Sequence, residues 1–208
     1  MEVVFFNSIN ISLPFQKIYT RMGFVKGKTS LSDKQKNNIE NYIEEAKEAL
    51  SLRGCALRLD NLDIKPPVIK SKDVIFKSIS LSKALEGAEE MLIMGATAGG
   101  RICDYIEEDC RKGEVSRSVV FDAVASESVD SALDWIMDYF SYQLRRENKR
   151  FFPRRFSAGY GDFNLGSQKI IYDILKMDKI GVTINENFVL LPEKSVTAII
   201  GISKADYG

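Results

Sequence analysis

The chain of 208 residues is 45% hydrophobic and 28% charged, which supplies apolar mass for a substantial core and fits the size of one domain spanning 1–208. Its 29 lysines and arginines equal its 29 aspartates and glutamates, so no overall field draws it to nucleic acid or an anionic membrane, and a charged ligand must be caught locally. There is no histidine, which excludes Ser-His and Cys-His nucleophilic centres, most zinc enzymes and imidazole proton transfer near neutral pH.

The opening MEVVFFNSINISLPF is apolar but carries neither a cationic leader nor a small-residue cleavage site, and is not read as a signal peptide. No apolar run approaches the roughly 20 residues that cross a bilayer. A helix is predicted over 32–53: Ser32 is followed three places later by Gln35, then Ile39, Tyr42, Ile43, Ala46, Ala49 and Leu50 recur at helical spacing, and Gly54 reads as the stop. CALRL (55–59) reads as a strand, DIKPP as a turn, DVIFKS (73–78) as a second strand, and a short helix is predicted from Ser82 to Gly87.

EEMLIMGATAGG (89–100) runs from a buried strand into a glycine turn, and RICDYIEEDCRKG continues as a helix closing at Gly113. From Glu114 to about Asn148 a long helix carries Val115, Val119, Val120, Ala123, Val124, Val129, Leu133, Ile136 and Phe140 as its apolar stripe, with Trp135 in or beside it as core. Small residues Ala123, Ala125, Ser126 and Ser128 allow another backbone close approach. GSQKIIYDILKM repeats the helical period with Ile170, Ile171, Ile174 and Leu175. GVTIN, NFVLL and SVTAIIGI read as strands, the last two joined across PEK as a hairpin. Helices mixed with antiparallel pairing favour an α+β fold over a doubly wound sheet.

Several stretches bear on chemistry. IMGATAGGR joins strand, glycine turn and helix, an anion-binding geometry in principle, but Gly95, Gly99 and Gly100 keep neither the G-x-G-x-x-G spacing of a dinucleotide site nor the G-K-[ST] of a P-loop. A tight turn with close strand–helix contact is the plainer reading. Cys55, Cys103 and Cys110 are odd in number and lack a C-x-x-C pair, which points to reduced thiols in the cytoplasm; Cys103 and Cys110 read as buried, inert thiols, and no metal site is expected. Asp130, Asp134 and Asp138 lie four apart on the long helix, the pattern of a solvated face from which one can turn to a cleft.

The strongest constellation is RRFSAGYGDFNLGSQ, residues 154–168. Arg155 offers a fork of donors suited to a carboxylate, and Gly159 and Gly161 flank Tyr160 so that a ligand can approach the main chain. A surface turn with incidental arginines has the same composition.

The run Arg155-Phe-Ser-Ala-Gly159-Tyr160 gives R-x-x-x-G-Y, and together with GVTINENFVLLPEKSVTAIIGI (181–202) and VVFDAVASESVDSALDWI (119–136) it resembles the activation, or S-adenosylmethionine-binding, domain of cobalamin-dependent methionine synthase. The resemblance implies a single C-shaped α+β domain around a twisted antiparallel sheet with flanking helices. It implies binding of S-adenosylmethionine, whose methyl group remethylates cobalamin once an electron donor such as flavodoxin has reduced it. Carried over residue by residue, Arg155 engages the ligand carboxylate, Ala158, Gly159 and Tyr160 line the adenosyl part, and Asp130 is the helix carboxylate beside the ligand. Ala158 stands where the family usually has proline. With no histidine and no cysteine-rich zinc site, no residue of this chain is expected to be catalytic alone. It would serve a separate methionine synthase polypeptide that carries the cobalamin and lacks its own activation domain. A non-catalytic binding or assembly module for another corrinoid protein is the alternative, and a Rossmann methyltransferase using Gly95 and Gly99 a third reading.

Overall fold

In the computed structural model, which describes residues 2–25 and 27–205, the buried strand read at 89–100 becomes the axis of the molecule. That strand, β6 (Glu90–Thr97), is buried at all eight positions. It lies between β2 (Arg53–Leu59) and β10 (Ser195–Lys204); β1 (Val4–Phe6) closes one edge and β7 (Lys149–Phe151) the other, giving the order β1-β2-β6-β10-β7 with every pair antiparallel. Alternate residues of β6 go to opposite faces, as the pleat requires. Leu92, Met94 and Ala96 join one apolar cluster, Met91 and Ile93 the other. The fold is therefore α+β, as composition and patterning indicate.

The first face is covered by α1 (Phe15–Arg21), α2 (Asp33–Ala49), α4 (Gly100–Lys112) and the long α5 (Val115–Arg146). The start of α2 is the capping box read in the sequence: the Ser32 hydroxyl accepts from Gln35 N–H while the Gln35 side chain accepts from Ser32 N–H. The helix stops at Ala49, however, and Gly54 is inside β2 rather than at the helix end. A Cβ on Gly54 would lie 2.7 Å from Ile136 Cδ1 and 3.1 Å from Gly95 O. The glycine is there because α5 lies on the sheet at that point. Ala123, Ala125 and Ser128 are buried as the small-residue pattern implies, whereas Val115 and Val119, read as part of the stripe, are exposed and Trp135 is only half-buried, edge-on to Phe6. Gly113 closes α4 at φ +80°.

The second face is covered by α6 (Ser167–Leu175), a 3-10 turn at Met177–Ile180, α3 (Ile79–Ala84) and a small sheet of β3 (Asp63–Lys65), β4 (Val68–Ser71) and β5 (Val74–Lys77). The DIKPP turn is thus a strand followed by a turn at Pro66-Pro67, and the short helix begins at Ile79, where the Ser78 hydroxyl accepts from Leu81 N–H, rather than at Ser82. The hairpin expected between NFVLL and SVTAIIGI does not form. Leu190–Leu191 (β9) pairs back with Thr183–Ile184 (β8), and β10 is taken up by β6 and β7. Ten residues of β10 match the long buried β6, which a two-residue partner cannot.

Candidate functional site

Strand β7 ends at Phe151, but the chain stays on the same edge of β10 for a few residues more. Phe152 N–H donates to Gly201 O, and Phe156 exchanges both main-chain bonds with Ile199, at 2.8 and 2.7 Å. Alternation along a strand then turns the main-chain groups of Thr197 to that same edge. Ser157 Oγ donates to Thr197 O at 2.8 Å and the chain leaves the sheet, so the Thr197 N–H is left facing outward. A groove of about 380 Å³ opens here, floored by Ser195–Ala198 and walled by Asp130 and Leu133 of α5, Ser157, Ala158 and Tyr160 of the departing chain, Gln168 of α6, and Phe188–Leu190 at the β8–β9 hairpin.

Side chains at 155 and 157 share one face of the extended segment, and Arg155 reaches α5. Its Nη2 donates to Asp130 Oδ1 at 2.9 Å and its Nη1 lies 2.8 Å from Asp134 Oδ1. The four-residue spacing of the two aspartates is what lets one guanidinium span both. Nη1 is nevertheless buried without an aligned hydrogen-bond acceptor. The aspartate row, read as a solvated face, thus sends two of its members to the groove arginine.

The glycine-rich loop is fastened from three sides. Gly159, at φ +91°, donates its N–H to Phe163 O at 2.7 Å, and Phe163 N–H returns to Tyr160 O at 3.0 Å. Phe163 is fully buried, edge-on to Phe76. Asp162 accepts from the Ser78 hydroxyl at 2.7 Å and from the N–H groups of Ile79 and Ser80 at 2.7 and 2.9 Å. The Ser78 hydroxyl, then these two amides, hold its carboxyl well below the usual carboxylate range. Gly161 passes so close that a Cβ would lie 2.7 Å from Ser80 Oγ. Tyr160 is left with its ring two-thirds exposed (67%) at the groove mouth.

On the floor, Thr197 Oγ1 donates to Gln168 Oε1 at 3.0 Å, both groups buried. Ser195 Oγ donates to Pro192 O at 2.7 Å and lies 2.9 Å from Thr97 Oγ1, which fixes the 192–195 turn. Four residues singled out from sequence, Asp130, Arg155, Ala158 and Tyr160, line this one groove. Gly159 does not; it shapes the loop, and its N–H is spent on Phe163. Sequence reasoning missed Phe188, Val189, Glu193, Gln168 and Asp162.

The other candidates disperse. Gly95 packs over Met177, whose Cε would be 2.8 Å from an added Cβ, and Gly99 at φ +87° meets Ser51 in the same way. Close packing accounts for both glycines, and neither lines the groove. Cys55 is buried and its thiol is pushed up to about 12 by that burial, but Cys103 is only half-buried and Cys110 is exposed, so the pair is not the buried one expected. Among the described residues no three Asp, Glu or Cys groups are placed to hold a metal ion, and no helix is long and apolar enough to cross a membrane.

No family model matches the sequence, and a search of curated proteins finds no match. The fold is similar to that of the crystal structure of the MetH reactivation domain bound to AdoHcy, with TM-score 0.67 and 12% sequence identity over 97% of this chain and 78% of that chain. At that identity the likeness is one of fold.

Proposed function

We propose that the chain binds S-adenosylmethionine in the groove at the β10 edge and acts as a reactivation module for a cobalamin-dependent methionine synthase carried on a separate polypeptide. The observation that carries this reading is the convergence of Asp130, Arg155, Ala158 and Tyr160, chosen from sequence, on one groove of about 380 Å³, a size suited to a small molecule. That the similar fold was crystallised with AdoHcy supports the same ligand class.

In this reading the Arg155 guanidinium, which lines the groove and is held against Asp130, takes the ligand carboxylate. Asp130 stays beside the ligand's cationic groups, where opposite charge in a partly dry cleft is favourable. The Thr197 N–H at the open edge and the Tyr160 ring serve the adenosyl end. The ligand supplies a methyl group for the partner's reduced cobalamin, with electrons from a donor such as flavodoxin. This chain holds the methyl donor, orients it and contributes no proton transfer of its own.

Titration calorimetry with millimolar S-adenosylmethionine should show saturable heat that Arg155→Ala reduces. Added to a cobalamin protein with a reductant, the chain should support ligand-dependent remethylation. Heat without remethylation would favour a binding module for another corrinoid protein; no heat would end the reading.

A further inference from the structure

The charge in the groove is unbalanced. Its lining holds one guanidinium, Arg155, against two carboxylates, Asp130 and Glu193, a net charge of minus one. Asp130 is already paired with Arg155, and Asp134 competes for the same guanidinium. Glu193 also lines the groove, in the turn that Ser195 fastens to Pro192 O and to Thr97. Its neighbour Lys194 does not neutralise it: that ammonium turns to α5, where it pairs with Asp122 and donates to Ser126 Oγ at 3.1 Å. Glu193 is therefore an exposed carboxylate in the groove lining, carried on a fixed turn.

S-adenosylmethionine and its demethylated product differ by one charge at sulfur. The methyl donor carries a carboxylate, an ammonium and a sulfonium; the thioether product keeps only the first two and is neutral overall. A carboxylate in the lining attracts the net positive donor more strongly than the net neutral product, in which the effects on ammonium and carboxylate oppose each other.

We infer that Glu193 is a specificity-determining residue that makes the groove favour the sulfonium donor over the thioether product. The inference rests on the ligand class proposed above and goes beyond it by assigning discrimination, rather than binding, to one side chain. Its consequence is functional: once the methyl group has left, the product loses the Glu193 interaction and is released more easily.

The test is the ratio of the dissociation constants of S-adenosylmethionine and S-adenosylhomocysteine, measured by calorimetry for the intact chain and for Glu193→Gln at low and high salt. The wild type should favour the sulfonium. Glu193→Gln should shrink that preference about three- to fivefold, the size of an exposed ion pair, through weaker sulfonium binding with thioether binding unchanged. Added salt should shrink the preference in the wild type and less in the variant. Equal loss for both ligands, or an unchanged ratio, overturns the inference while leaving the ligand class intact. A wild type that binds neither ligand overturns both. An unchanged melting temperature for Glu193→Gln separates a charge effect from a folding defect.

Discussion

The carboxylate of Asp162 accepts a hydrogen bond from the Ser78 hydroxyl at 2.7 Å, joining the groove loop to the start of α3 across 84 residues of sequence. With the amides of Ile79 and Ser80 added, it fixes the turn that presents Tyr160. Asp162→Ala should leave the fold intact, lower its melting temperature slightly, and weaken S-adenosylmethionine binding by more than the stability loss accounts for. Asp162→Asn, which keeps one acceptor oxygen, should recover part of the affinity. Calorimetry and thermal melts on the two variants would check this, and equal affinity in Asp162→Ala and wild type would remove the loop from the binding surface.

Arg155 is the one cation of the groove lining, and it holds two aspartates a helical turn apart. Its replacement by alanine should cost about ten- to a hundredfold in ligand affinity, the range of a charge-assisted hydrogen bond pair. Arg155→Lys should rescue little, because a single ammonium cannot span Asp130 and Asp134 while presenting a second donor pair.

Gly54 should tolerate no side chain. The contact of 2.7 Å to Ile136 can be relieved by a rotamer change, but that of 3.1 Å to Gly95 O is to main chain. Gly54→Val should destabilise the protein by about 1–3 kcal/mol, the cost of overpacking, measured by denaturant unfolding.

Arg58, Lys149, Glu90 and Glu147 form a four-charge network tying β2, β6 and β7 to the end of α5. The Arg58 guanidinium pulls the Glu147 carboxyl from 4.5 to about 2. Glu90 lies below its usual value as well, its burial outweighed by Arg58 and Lys149 together. A depressed folded-state value means that the stabilisation is complete above the unfolded value and is lost as pH falls through the folded one. Unfolding midpoints should therefore drop between about pH 4.5 and pH 2, with a shallower slope for Glu147→Gln. An identical slope would show that the network does not report on folding.

How far the sequence reached depended on where each signal's cause lay. The box of Ser32 with Gln35 and the Gly113 stop were legible because a helix end satisfies its own main chain within three or four residues. Arg155 and Tyr160 were legible through a short motif and a resemblance. Gly54 was misread because helix stops and close approaches both call for glycine, and only α5 lying on β2 tells them apart. Leu190–Leu191 pairs backward with β8 rather than forward with β10 because the long β6 claims that strand. Asp162 left no signal at all, since its partners are 82 to 84 residues away.

By itself, then, the sequence determined the α+β class, the long helix, the apolar run at the heart of β6 and the chemistry available without histidine, all of them matters of composition and local period. Only the tertiary structure decided that the edge of β10 is left open beyond Ile199. It also brought Asp130, the Arg155–Tyr160 stretch and Glu193 to that edge from three separate segments of chain. The physical reason is that a strand's free edge exists only once its neighbours have been chosen, and that choice is made by burial across the whole sheet.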